Sequence, residues 1–286
     1  MPENAGRQKN RIIPELFPRG IALVLFGVLL FAAAHMVSVP KTAQYELVIL
    51  GDSIYGDCRG RDSVSDKLAQ QLPYTVYNGA LGGTCMGHRE DRKYRDDAMD
   101  LLSMESFSKS IVSGDFGVQK QTKVRLAATE YFPEVLGELE KIDFGRVKIL
   151  LIGHGLNDYQ NGILPEDPEN PLDEKTYAGA LRLAVGRIRE RFPDLRLILT
   201  TPTYSWYRSA GKSCEEADWG GGVLSGFVET EKRLAEELGI ECIDLYELYQ
   251  QFEDGDSECT TDGVHPNEKG RQLIADAIIQ YLEENP

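Results

Sequence analysis

Five short apolar runs recur along the chain, separated by longer stretches with helical spacing, and few folds accommodate that alternation. The runs are Leu47–Leu50, Tyr74–Tyr77, Val147–Ile152, Leu195–Thr200 and Ile240–Asp244. They are apolar at successive positions, which suits strands covered on both faces, as in a parallel sheet under helices. Between them, Ser63–Leu72, Tyr177–Phe192 and Leu224–Leu238 carry apolar residues three and four apart. A last helix over about Asn267–Leu282 would place Leu273, Ile274, Ala277, Ile278 and Tyr281 on one stripe. The pattern predicts the α/β class, a doubly wound sandwich with helices on both faces of a mostly parallel five-stranded sheet. Residues 86–125 exceed the usual βα loop of about 2–6 residues. They begin charged and turn amphipathic, so we read them as helices over one end of the sheet, either a lid or an elaboration of the crossover.

The N-terminal forty residues are of another kind. A net-basic head with Arg7, Lys9, Arg11 and Arg19 precedes an apolar run from Gly20 to Val39 in which His35 is the only titratable side chain. Roughly 20 such residues, at ~1.5 Å each, cross the ~30 Å hydrocarbon core of a bilayer. Basic residues ahead of a span hold the N-terminus in the cytoplasm and put the chain beyond the span outside. The run is long for a signal-peptide core of about 7–15 residues, so an uncleaved anchor is expected over cleavage near Ala32–Ala34. The expected organisation is a cytoplasmic head (1–19), one transmembrane signal-anchor (20–40) and an extracytoplasmic catalytic domain (41–286). That makes it a single-pass cell-membrane protein, or a secreted one if the segment is cleaved.

With 31 basic against 46 acidic residues the net charge is -15, the wrong sign for a nucleic-acid partner. Disulfides persist outside the cytosol. Cys58, Cys85, Cys214 and Cys259 fall in expected loops. We expect Cys58 to pair with Cys85 and Cys214 with Cys259, each pair flanking the same sheet end, although spacing alone does not set connectivity. Cys242 is expected to be a buried thiol. No cysteine pair has zinc-site spacing and the four histidines are scattered, so no structural metal is expected.

In open α/β sheets ligands bind beyond the carboxyl ends of the strands. The first run delivers Gly51-Asp52-Ser53 there, and the second Asn78 to Thr84 with Gly82 and Gly83. The third delivers Gly155-Leu156-Asn157-Asp158, and Asp262-Gly263-Val264-His265-Pro266 precedes the last helix. A nucleophilic serine needs a base, an orienter for that base and donors for the developing oxyanion. Ser53 follows a tight turn, and His265 has Asp262 three residues earlier in a loop. Gly83 can offer a backbone N–H and Asn157 a side-chain amide. Pro266 suits the first turn of the last helix and would fix His265 at a helix start. Taken singly, these segments are ordinary turns and caps. Their co-occurrence in this order is the signal.

The four segments resemble the SGNH (GDSL-type) hydrolase family, over about residues 46–284. Ser53 matches the serine of the first block, Asn157 the asparagine of the G-x-N-D block, and Asp262 with His265 the D-x-x-H block. In the second block, counting five residues from Asn78 gives Gly83 as the oxyanion glycine. Ala80-Leu81-Gly82 departs from the more usual Gly-x-Ser. The resemblance implies a flavodoxin-like three-layer α/β/α sandwich, a Ser53–His265–Asp262 relay through an acyl-enzyme, and an oxyanion hole of Ser53, Gly83 and Asn157. Asp52, Gly82, Asn78 and Asp158 would support the site, and no cofactor is implied. Tyr204 and Trp206, in the aromatic loop after the fourth run, are expected to bind substrate, which favours a short acyl group on a glycan. An acyltransferase or a non-catalytic glycan-binding domain on this scaffold is the alternative. A flavin protein is disfavoured, because the first loop lacks a phosphate cradle.

Overall fold

The computed structural model describes residues 40–89, 97–124, 129–252 and 258–286. The expected anchor over 20–40 lies outside the described residues, apart from its last position. Among the described residues no helix is long and apolar enough to cross a membrane.

The first apolar run forms β1 (Leu47–Gly51), followed by the one-turn helix α1 (Ser53–Gly56), by α2 (Val64–Gln71) and by β2 (Val76–Asn78). Ser63 caps α2 by accepting from the Asp66 N–H, a satisfied N-terminus that explains why the helix begins there. Then come α3 (Asp97–Asp100), α4 (Met104–Ser113), α5 (Gly117–Gln121) and α6 (Phe132–Leu139). The chain returns through β3 (Ile149–Gly153), α7 (Leu156–Gln160), α8 (Tyr177–Arg191) and β4 (Arg196–Thr200). A two-stranded ribbon, β5 (Trp206–Tyr207) and β6 (Lys212–Ser213), precedes α9 (Leu224–Leu238), β7 (Glu241–Ile243), α10 (Leu245–Gln250) and α11 (Glu268–Glu284).

The five main strands are all parallel in the order β2-β1-β3-β4-β7. This is a doubly wound order, in which the crossovers leave in opposite directions from the adjacent β1 and β3 and open a crevice at their carboxyl ends. Every residue of β1 and of β3 is buried, which is why their sequences are apolar without alternation. Their last residues, Gly51 and Gly153, face each other in register. A Cβ on Gly51 would meet the Gly153 carbonyl at 2.7 Å, so the glycines let the strand ends close up beneath the site.

Two expectations change in detail, and the described part of residues 86–125 follows the crossover-elaboration reading. The buried stripe of α11 runs through Ile274, Ala275, Ile278, Ile279 and Leu282, with Leu273, Ala277 and Tyr281 only partly buried at its edge. The helix packs both on α2 and on β7, so its contact face is wider than a single row. Cys242 is half-buried, because it lies on the short edge strand β7. Within residues 86–125, α4 is a packing element on α8. It buries Met104, Phe107 and Ile111, and its fully buried Glu105 takes Arg187 of α8 at 2.5 Å, Lys109 at 2.9 Å and His88 at 3.0 Å. Burial raises the Glu105 carboxyl, but these three partners outweigh it and hold it at about 2. Glu105, His88 and Glu174 are close enough to share a cation, yet Lys109 and Arg187 already bring positive charge to the cluster.

Candidate active site

Ser53 opens α1 immediately after β1, and the buried Asp52 caps that turn by accepting from the Ile54 N–H at 3.0 Å. At the other side of the crevice the 260–266 turn closes on itself: Thr261 N–H donates to the His265 carbonyl at 2.9 Å, and Gly263 N–H to Thr260 Oγ1 at 3.0 Å. Asp262 Oδ1 accepts from the backbone N–H groups of Val264 and His265 at 3.0 and 2.8 Å. Asp262 Oδ2 meets His265 Nδ1 at 2.7 Å, and His265 Nε2 meets Ser53 Oγ at 3.1 Å. Burial raises the Asp262 carboxyl, but the hydrogen bonds from His265 and Val264 prevail and leave it below the usual carboxylate range. An ionised carboxylate, an imidazole and a hydroxyl in line can pass the hydroxyl proton to the ring.

Pro266 is not in the first turn of α11. Asn267 is the cap, with its side chain accepting from the Gly270 N–H, and the helix starts at Glu268. Pro266 instead pairs with Thr260 in an isolated bridge. His265 is therefore held by the closed turn and its carboxylate rather than by the helix.

Asn157, on α7 after β3, donates its amide to Asp52 Oδ2 at 3.1 Å. Asp52 is pushed up to about 7 by burial, which its bonds to Ile54 and Asn157 only partly offset. Gly82 N–H donates to the Tyr131 hydroxyl at 2.8 Å. Among the described residues neither Ser53 N–H nor Gly83 N–H donates to any group. Asn78 ties β2 to α1, donating to the Tyr55 carbonyl at 2.7 Å and accepting from Ala80 N–H at 3.1 Å. Asp158 turns into the protein and accepts from Met86 and Gly87 N–H at 2.8 and 3.0 Å. Its burial is complete and pushes it up to about 6.

The model of the GDSL-like lipase/acylhydrolase family matches residues 49–273. The chain belongs to this family. The GDSL esterase/lipase CPRD49 of Arabidopsis thaliana is 35% identical over 51 residues, 18% of this chain and 20% of that protein. A second GDSL esterase/lipase of the same plant is 23% identical over 123 residues, 40% of this chain and 50% of that protein. The chain thus spans a fifth and a half of the lengths of these two relatives. A Lactobacillus plantarum protein superposes with a TM-score of 0.57 at 15% identity, covering 85% of this chain and 98% of its own. The acetyl xylan esterase AlAXEase superposes with a TM-score of 0.51 at 14% identity, covering 82% and 99%. At these identities the superpositions speak for the fold alone.

Among the glycines of the GDSL-type second block, Gly82 has its N–H engaged by Tyr131, which leaves Gly83 as the glycine with an N–H to offer. An open pocket of about 260 Å³ adjoins Ser53 and His265, with Asp57, Cys58, Thr261 and Arg271 in its wall. Tyr204 and Trp206 do not line it. Tyr204 packs edge-on against Tyr246 with centroids 5.7 Å apart. Trp206 donates its backbone N–H to the Gly263 carbonyl at 2.8 Å, so the aromatic loop braces the turn that carries Asp262 and His265. The expected disulfides Cys58–Cys85 and Cys214–Cys259 are not formed. Cys58 lies in the pocket wall, whereas Cys85 is buried with its sulfur 3.9 Å from Asn161 Nδ2, and Cys214 accepts from Ser205 N–H.

Three contributors carry no sequence signal of their own. Tyr131 reaches Gly82 from 49 positions away. Arg59 stacks on the Tyr131 ring at 5.0 Å and donates to the carbonyls of Asn78 and Ala80, bracing the glycine turn. Asp57 Oδ2 lies 3.7 Å from His265 Nε2. Burial raises the Asp57 carboxyl, His265 opposing and Asp262 adding to the rise.

Proposed function

We propose that this chain is a membrane-anchored, extracytoplasmic serine esterase that hydrolyses carboxylic esters through Ser53, His265 and Asp262. The observation that carries the reading is the continuous line from Asp262 Oδ2 through both ring nitrogens of His265 to Ser53 Oγ, at 2.7 and 3.1 Å. Ser53 attacks the ester carbonyl while His265 Nε2 takes its proton and Asp262 steadies the resulting imidazolium. The oxyanion is held by the N–H groups of Ser53 and Gly83 and the Asn157 amide. Collapse of the intermediate expels the alcohol, which takes the proton from His265 and leaves an acyl-enzyme. Water then attacks with His265 as base.

A short acyl group, acetyl first, on a glycan is the substrate we favour. The acetyl xylan esterase that shares the fold acts on such an ester, and the pocket beside Ser53 is open, with Asp57, Thr261, His265 and Arg271 among its lining, rather than a deep apolar slot. The anchor reading rests on the run from Gly20 to Val39 and the basic residues before it.

The full chain in detergent is expected to hydrolyse p-nitrophenyl acetate and to be labelled by a serine-directed fluorophosphonate. In Ser53→Ala both signals are expected to fall to background. Labelling of Ser53→Ala at the wild-type level would remove Ser53 as the nucleophile.

A further inference from the structure

Asp57 is a pocket-wall residue that the relay does not use. It follows α1 by one position, and its half-exposed carboxyl faces the pocket beside Ser53. Oδ2 is 3.7 Å from His265 Nε2, the nitrogen that also faces Ser53 Oγ at 3.1 Å. On its other side the carboxyl borders the glycine turn. A Cβ built on Gly82 would stand 3.0 Å from Asp57 Oδ1 and 3.7 Å from Ser53 Cβ. Asp57 therefore lies between the imidazole and the glycine turn, on the rim of the space an ester occupies. Among the described residues its carboxyl accepts no hydrogen bond, and His265 is the one basic side chain within 4.0 Å of it.

An acidic group in that place is costly for every ester. Negative charge develops on the carbonyl oxygen close by, and like charges repel. A hydrogen bond from the substrate to Asp57 offsets the cost. The leaving oxygen must come within hydrogen-bond reach of His265 Nε2 to collect its proton. A hydroxyl on the adjacent carbon of the same alcohol then comes within reach of a carboxyl oxygen standing beside that nitrogen. Hydrogen bonds to charged groups are about twice as strong as neutral ones.

We propose that Asp57 is a specificity-determining residue that accepts a hydrogen bond from the hydroxyl next to the esterified oxygen, so that the enzyme selects esters of polyols and sugars over esters of simple alcohols. The inference rests on the esterase reading above and specifies the alcohol side of its substrate.

Two acetates differing in one donor test it: 2-hydroxyethyl acetate and 2-methoxyethyl acetate share the acyl group and a similar inductive pull, and only the first can donate to Asp57. With the full chain in detergent, kcat/KM is expected to favour the hydroxyl ester by about tenfold or more. In Asp57→Ala the ratio should fall to about one, and Asp57→Asn, which keeps an acceptor, should retain part of it. A merely structural role for Asp57 would lower both esters alike and leave the ratio unchanged. A wild-type ratio near one, or the same preference in Asp57→Ala as in wild type, overturns the proposal. So does fluorophosphonate labelling of Ser53 without turnover of the hydroxyl ester. Absence of both labelling and turnover would instead fail the esterase reading, and this inference with it.

Discussion

A serine hydroxyl is a weak nucleophile at neutral pH, so its power lies in what surrounds it. Around Ser53 the His265 imidazole and the Asp262 carboxylate are in line, and the proposed oxyanion donors Ser53, Gly83 and Asn157 follow three separate strands. Asn157 is the most exposed to test, because its amide is fixed by the buried Asp52 rather than by the backbone. Asn157→Ala removes one oxyanion donor and should lower kcat on p-nitrophenyl acetate about 10²–10³-fold. Thermal stability should fall by no more than about 1–3 kcal/mol, because the buried Asp52 loses its Asn157 donor but keeps its bond to Ile54 N–H. Turnover within a few-fold of wild type would take Asn157 out of the hole. The convergence of Ser53, Asp262 and His265, with Asn157 beside Asp52, was legible in the sequence because each sits in a short segment at a strand or helix end. Asp57 and Tyr131 were not legible. Asp57 reads as an ordinary acid after a turn, and the role of Tyr131 depends on folding a segment 49 residues away against Gly82.

At the scale of elements, β1 and β3 were legible because burial on both faces makes their sequences continuously apolar, while the edge strands β2 and β7 are buried in part and span fewer residues. Their ends shift by one or two residues, since helix and strand termini are set by capping and pairing rather than by hydrophobicity. The ribbon of β5 and β6 was hidden, having two residues per strand and no room for a periodic pattern. That ribbon explains the true place of Trp206, whose ring suggested substrate binding while its backbone does the bracing. Gly263 lies against it with φ +95°, and a Cβ there would run into the Trp206 carbonyl. Gly263→Ala should therefore displace the turn bearing both Asp262 and His265. We expect kcat to fall by at least about 10²-fold, as misplacement of catalytic groups by about 1 Å can do. Stability should fall by about 1–2 kcal/mol from the left-handed backbone alone. Paired kcat and thermal unfolding measurements check this, and a variant with wild-type kcat would show that the turn does not depend on Trp206.

For the whole molecule, charge and the N-terminal apolar run bear on where the chain works. The net charge of -15 disfavours an anionic membrane surface and the basic head adds only local attraction, so stable membrane association would have to come from the apolar run at residues 20–39. Such a run, if it spans, withstands washing that strips peripheral proteins, because roughly 20 buried apolar residues hold it in the hydrocarbon. We expect the full chain produced in a bacterium to stay in the membrane fraction through an alkaline carbonate wash and to be released by detergent. A membrane-impermeant fluorophosphonate added to intact spheroplasts should label Ser53 under the proposed orientation, in which the basic residues ahead of the run stay in the cytoplasm. Residues 41–286 made without the run should appear in the soluble fraction. Recovery of the full chain from the medium at reduced mass would mean that the segment is cleaved and the esterase secreted. Recovery of the intact full chain from the cytosol, with labelling only after lysis, would overturn both the anchor and the extracytoplasmic assignment, while leaving the chemistry at Ser53 untouched.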